Sequence, residues 1–152
     1  MTDLLVGFGS NLGDRSANLR YALSVLEWKP GIHLRGVSSF LATDPVGGPP
    51  QPCFLNAAAH LETNLPPHGL LHRLQQLEWR RGRRRGVVNG PRTLDLDLLL
   101  FGCAVLADEE LTLPHPRLEE RAFVLEPLAE IASTLRLPSG RTPGESLRVL
   151  QS

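Results

Sequence analysis

Asp95 and Asp97 stand two positions apart in the run Gly90-Pro91-Arg92-Thr93-Leu94-Asp95-Leu96-Asp97. Their alternation with Leu94, Leu96 and Leu98 is that of a strand with one apolar and one acidic face. Residues at i and i+2 of a strand share a face, with Cα atoms about 6.5 Å apart at ~3.3 Å of rise per residue. Two carboxylates so placed repel each other, so either water solvates them or a cation joins them. Side chains at this spacing can converge on a metal pair separated by about 3.5–4 Å. Magnesium takes one or two carboxylates and completes its shell with phosphate oxygens and water.

Alone, an Asp-x-Asp pattern also describes a solvated strand face. The neighbours favour the metal. Arg92 precedes the pair, Arg83, Arg84 and Arg85 lie upstream, and His115 and Arg121 follow. Metal plus guanidinium is what a transferring phosphoryl group requires, because charge spreads over its equatorial oxygens. The arginine cluster has other readings, a solvated face after a helix or a nucleic-acid patch. No aromatic platform for stacked bases lies within it, since Trp79 belongs to the preceding helix, and formal net charge is zero. Phosphate clamping by a mobile arginine loop is the favoured reading.

Several other chemistries are excluded. Lys29 is the sole lysine and no Walker-type loop surrounds it. Gly7, Gly9 and Gly13 miss the G-x-G-x-x-G spacing, because Leu12 stands where the third glycine belongs. A tight strand–helix turn is expected there instead. No histidines stand at H-E-x-x-H spacing, and Ser10 is not in a G-x-S-x-G elbow. Cys53 and Cys103 lack metal-ligand spacing and read as ordinary buried or half-buried thiols. Neither a secretory signal nor an apolar run of the ~18 residues a membrane helix needs is present. A cytoplasmic monomer with small-molecule substrates, and neither nucleic acid nor membrane as partner, is expected.

The elements that must position these residues follow from periodicity. Leu4 to Phe8 predicts a strand, and Leu19, Ala22, Leu23 and Leu26 predict a helix from about Arg15, stopped by Pro30-Gly31. Ile32 to Ala42 predicts a second strand. Asp44 to Pro52 is a proline-stiffened loop, and Phe54 to Thr63 a third strand. Pro66-Pro67 opens a second helix through Leu70, Leu71, Leu74 and Leu77, ending near Gly82. Thr93 to Phe101 is the clearest strand. A small hairpin is expected around Asp108-Glu109, one or two short helices within Leu118 to Ala132, and a last helix from Pro143 to Leu150. The order β-α-β-β-α-β predicts a ferredoxin-like, split βαβ sheet in a single α+β domain spanning residues 1–152. Read alone, Phe54 and Phe123 are core residues, as are Phe40 and Phe101. Asn56 is harder to explain, because an amide in an apolar strand must find partners.

At these residues the sequence resembles the 6-hydroxymethyl-7,8-dihydropterin pyrophosphokinase family. The resemblance is carried by Gly9-Ser10-Asn11-Leu12-Gly13-Asp14, Ser38-Ser39-Phe40 with Thr43, and Gln51-Pro52-Cys53-Phe54-Leu55-Asn56-Ala57. Further on it is carried by Glu78 with Gly82-Arg83, the run from Gly90 to Asp97, and Leu113-Pro114-His115-Pro116 with Arg121 and Phe123. It implies a ferredoxin-like α+β fold and transfer of pyrophosphate from ATP to the pterin hydroxymethyl group, with release of AMP. It also implies that Asp95 and Asp97 bind two magnesium ions, with Asp95 close to the substrate hydroxyl. Phe54 and Phe123 would sandwich the pterin, and Asn56 with Thr43, Pro45 and Val46 would read its hydrogen-bonding edge. Gln75, Glu78, Leu98, Thr112 and His115 would line the ATP site. Arg83, Arg85, Arg92 and Arg121 would meet the phosphates, Arg83 and Arg92 with a catalytic role.

The chain departs from some members at Asn89, where they carry tryptophan, at Glu110, where they carry arginine, and at Pro116, where they carry tyrosine. These changes bear on loop closure and ATP affinity. Three other readings predict different behaviour. A nucleotidyltransferase with the same carboxylate pair would release pyrophosphate. A nucleic-acid module would bind oligonucleotides without ATP and lose them in salt. A non-catalytic ferredoxin-like domain would not bind ATP.

Overall fold

The computed structural model describes residues 1–45, 47–82 and 91–152. Strand β1 (Thr2–Ser10) leads into helix α1 (Arg15–Trp28), whose first turn is capped by the Asp14 carboxylate accepting from the Ala17 N–H. Gly31 turns the chain back with φ of +79°, and a Cβ there would lie 2.6 Å from the Asn64 Oδ1, so the turn requires glycine. The expected strand from Ile32 to Ala42 is two strands, β2 (Ile32–Val37) and β3 (Leu41–Thr43). The break comes at Ser38, which is buried and takes over the pairing. Its N–H donates to the Ala58 carbonyl and its Oγ accepts from the Ala58 N–H, both at 2.9 Å.

Strand β4 (Phe54–Thr63) and helix α2 (Pro67–Arg80) fall where the pattern places them. Strand β5 (Asp95–Phe101) follows, then a two-stranded hairpin of β6 (Leu106–Ala107) and β7 (Thr112–Leu113). Helix α3 (Ala122–Ile131) occupies only the second part of its expected range, and α4 (Pro143–Gln151) is opened by a capping box between Thr142 and Glu145. The main sheet has the order β2-β4-β1-β5, with β3 pairing β4 and every neighbour antiparallel. That is the split βαβ arrangement, so the α+β, ferredoxin-like expectation holds.

Each face of the sheet has its own core. On one face Leu4, Val6, Phe8, Ala57, Ala59, Leu61, Leu96 and Leu98 pack against the apolar stripes of α1 and α2. On the other, Leu5, Ala58 and Leu99 pack under Val124, Leu125 and Leu128 of α3, with α4 lying against α3. Leu5 pairs Leu100 and Val6 pairs Leu98, so Leu99 is an extra residue in β5, a β-bulge. The bulge lets Leu98 and Phe101 both reach the first core while Leu99 reaches the second.

Candidate active site

The second face is covered by α3 over only part of its length. The same three strands line a cleft on this face that opens to solvent, with Ala58 and Leu99 at its inner end. Strand register brings its floor together. Gly9 pairs Asn56 of β4 on one side and Asp95 of β5 on the other, while Gly7 pairs Asp97. A Cβ on Gly9 would lie 2.9 Å from the Asn56 Oδ1 and 3.5 Å from the Phe54 Cδ1. Gly7 thus lies in the strand expected from Leu4 to Phe8, while Gly9, expected in the turn after it, is also within β1, and both keep the floor low.

One wall carries planar and amide groups. Phe54 and Phe123 are half-buried and line the cleft, Phe54 from β4 and Phe123 from α3. Asn56 is buried and donates from Nδ2 to the Thr43 Oγ1, a pairing set by β3 lying in register with β4 at Thr43 and Phe54. The amide thus has a partner, and its carbonyl end faces the floor beside Gly9. Such a wall suits a flat heterocycle with a hydrogen-bonding edge.

The other wall carries charge. Asp95 and Asp97 line the cleft with Arg92, Arg117 and Arg121. The Arg92 Nη1 lies 3.5 Å from the Asp95 Oδ1, and the Arg121 guanidinium lies 5.5 Å from the centre of the Phe123 ring. Among the described residues no group of three or more His, Cys, Asp or Glu forms a metal cage. Two carboxylates on an open face nevertheless suit magnesium, which draws its remaining ligands from water and phosphate, and suit zinc poorly.

His115 lies beside this wall. Its N–H donates to the Leu99 carbonyl at 2.9 Å, and its Nδ1 accepts from the Arg117 N–H at 3.2 Å. Burial lowers its pKa below the ordinary 6.5, with the charges of Arg121 and Arg117 adding to the effect and that of Asp95 opposing it. The ring is neutral at pH 7, with its proton on Nε2, since Nδ1 is already an acceptor.

The remaining expected residues lie elsewhere. Leu98 is buried on the opposite face of β5. Glu78 is buried on α2, where its Oε2 accepts from the Leu96 N–H at 2.8 Å. Gln75 is exposed on the same helix, and Thr112 is exposed on β7. β5 is an edge strand with α2 and β7 packed against it, and Glu78 reaches it through the Leu96 N–H. Pro45 is half-buried beside Asp44, which lines the cleft. Val46, Arg83 and Arg85 lie outside the described residues. Cys53 and Cys103 are free and exposed, contrary to the burial expected of them, because each sits in a connection between elements.

A family model for 7,8-dihydro-6-hydroxymethylpterin-pyrophosphokinase (HPPK) matches residues 5–133. The chain belongs to this family. An HPPK relative from Pseudomonas aeruginosa, 2-amino-4-hydroxy-6-hydroxymethyldihydropteridine pyrophosphokinase, is 47% identical over 136 residues, covering 90% of this chain and 84% of its own. The enzyme of the same name from Bacillus subtilis is 45% identical over 146 residues, covering 95% and 87%. Among solved structures, an HPPK-DHPS crystallised with substrates superposes with a TM-score of 0.75 at 11% identity. That match covers 97% of this chain and 43% of the other, and it shows the shared fold.

Within this HPPK fold the cleft uses residues to which periodicity and motif assigned no role. Gly7, Gly9, Gln51 and Arg117 line it, and Asn11 sits behind it. The glycines had a visible signal, since Gly7 and Gly9 alternate with Val6, Phe8 and Ser10 at strand period. Arg117 had none, because it lies in a turn that only packing brings to β5.

Proposed function

We infer that the chain transfers pyrophosphate from ATP to the hydroxymethyl group of 6-hydroxymethyl-7,8-dihydropterin, a step of folate biosynthesis, and releases AMP. The observation that carries this reading is one cleft with two unlike walls in a chain of the pyrophosphokinase family. The wall of Phe54, Phe123 and Asn56 would hold the pterin, with Thr43 and Pro45 beside it; Val46 joins on family resemblance alone. The wall of Asp95, Asp97, Arg92 and Arg121 would hold the triphosphate. Gln75, Glu78, Leu98, Thr112 and His115 would hold the remainder of ATP, as family resemblance implies. Arg83 and Arg85 join the set on family resemblance.

Asp95 and Asp97 would hold two magnesium ions, which lower the negative charge that a nucleophile must approach. The pterin hydroxyl oxygen attacks the β-phosphorus in line, forming a new O–P bond. The bond from that phosphorus to the bridging oxygen of the α-phosphate breaks, AMP leaves with that oxygen, and the hydroxyl proton is lost to solvent. Arg92 and Arg121 stabilise the charge that develops on the phosphate oxygens. Neutral His115 donates a hydrogen bond from Nε2 and brings no charge. Holding both substrates in one cleft supplies the orientation, so no strong base is required.

A cytoplasmic monomer acting on small molecules fits this chemistry, and no helix among the described residues is long and apolar enough to cross a membrane. The test is incubation with Mg-ATP and the hydroxymethyl-dihydropterin. AMP should form in proportion to pterin consumed. Release of pyrophosphate in place of AMP, or no AMP above a pterin-free control, would overturn the reading.

A further inference from the structure

Asn11 is 2% exposed and follows directly on β1, yet it does not line the cleft. Its backbone N–H and both polar atoms of its side chain are committed. Its N–H donates to the Arg92 carbonyl at 2.9 Å, and its Oδ1 accepts from the Arg92 N–H at 2.8 Å. Its Nδ2 donates to the Gln51 Oε1 at 2.8 Å and to the Pro52 carbonyl at 3.0 Å. The amide cannot be turned round, because the Arg92 N–H needs an acceptor and the Pro52 carbonyl needs a donor. One buried side chain thus joins three segments distant in sequence: the end of β1, the backbone that carries Arg92, and the corner before Phe54. Arg92 belongs to the charged wall. Gln51 lines the cleft and Phe54 stands two residues beyond Pro52, so the corner belongs to the acceptor wall.

We propose that Asn11 is a positioning residue that holds the Arg92 backbone and the Gln51-Pro52 corner to the end of β1, fixing the spacing between the two substrate walls. This rests on the pyrophosphokinase reading. In a two-substrate transfer that spacing sets the approach of hydroxyl oxygen to phosphorus, and small displacements there are costly in rate. Asn11 acts on the reaction through Arg92, so its effect should depend on the Arg92 side chain. It acts on the acceptor through the corner, so the two arms should separate on substitution. Asn11→Asp keeps an acceptor for the Arg92 N–H but loses both donors to the corner. Asn11→Ala loses both side-chain arms and keeps only the bond from its backbone N–H to the Arg92 carbonyl.

The experiment measures AMP formation with each substrate varied, for wild type, Asn11→Ala, Asn11→Asp, Arg92→Ala and the Asn11→Ala/Arg92→Ala double variant, at a temperature where all are folded. Asn11→Ala should lower kcat by ~10²-fold, the scale of a misplaced catalytic group. In the Arg92→Ala background the same change should cost less than about 3-fold, since contacting residues are not additive. Asn11→Asp should recover most of kcat while raising the pterin KM. An unchanged kcat in Asn11→Ala, or an undiminished loss in the Arg92→Ala background, overturns the proposal. Amide hydrogen exchange supplies a readout independent of turnover. The Arg92 N–H should exchange faster in Asn11→Ala while core amides of β1 and β4 keep their protection, and an unchanged Arg92 amide overturns the anchor. A wild-type chain that makes no AMP yet shows the exchange difference overturns the reaction reading and upholds the anchor.

Discussion

The two faces of the main sheet use the same three strands and are built for opposite ends. On one face, Val6, Phe8, Ala57, Leu96 and Leu98 are sealed under α1 and α2. On the other, the intervening positions Gly7, Gly9, Asn56, Asp95 and Asp97 line an open cleft, and Leu5, Ala58 and Leu99 pack under α3 at its inner end. Apolar burial stabilises at roughly 25 cal/mol per Å², while two carboxylates side by side repel. The strand period of two lets one run of residues supply both, with the sealed face holding the backbone that the open face could not hold alone. A local arrangement that is unfavourable can persist when the packing behind it fixes the backbone.

The contrast can be tested from both sides. The largest effect is expected at Asp97, where Asp97→Ala should lower turnover by ~10²–10³-fold or more, the cost of removing one electrostatic stabiliser. Its melting temperature should stay near that of wild type, because the side chain is half-exposed. An active, magnesium-dependent Asp97→Ala enzyme would remove the metal assignment. The converse is Leu74→Ala, at a fully buried position on α2. It should destabilise by about 2–5 kcal/mol while leaving KM for both substrates unchanged below its melting point. Denaturant unfolding and steady-state kinetics on the same preparations would show whether stability and function divide between the faces.

Smaller effects sharpen the floor. In Gly9→Ala the new methyl would displace the Asn56 amide, and the pterin KM should rise by about 10-fold, the order of one lost hydrogen bond. In Gly7→Ala the nearest contact, the Leu99 Cδ1, is an ordinary 3.6 Å, so no protein group is displaced and the pterin KM should rise less than in Gly9→Ala. Equal responses at the two glycines would dissolve the distinction between them. The smallest effect concerns His115. Its folded pKa lies below 6.5, so within that window the unfolded chain binds more protons than the folded one. Stability therefore falls as pH drops from 6.5 toward the lowered value and is fully present above it. Thermal melts at about pH 7.5 and about pH 5.5 should show a larger loss for wild type than for His115→Gln. An equal loss would place the acid sensitivity elsewhere.

Much of this was legible in the chain itself. The β-α-β-β-α-β order, the bounds of β4 and the acidic face of β5 follow from local periodicity, because strand and helix periods are written residue by residue. The carboxylate pair on β5 and Arg92 just before it were legible for the same reason, being neighbours in the chain. Legibility failed where distant segments supply partners. The split between β2 and β3 depends on Ser38 pairing with Ala58 across the sheet. The exposure of Cys53 and Cys103 depends on where the connections run. Family resemblance named Phe54, Phe123 and Asn56, yet residue type alone favoured core for the two phenylalanines. The register of β4 puts Phe54 on the cleft face, and the position of α3 brings Phe123 to the same cleft.

The sequence by itself determined the order of strands and helices and the residue types offered to the candidate site, since these rest on side-chain type and spacing along the chain. Tertiary structure alone decided that Gly9 lies between Asn56 and Asp95, that Asn11 joins Arg92 to the Gln51-Pro52 corner, and that Glu78 is buried against the back of β5. Each of these is a contact between residues far apart in the chain. Their geometry comes from strand register and helix packing, which no local pattern contains.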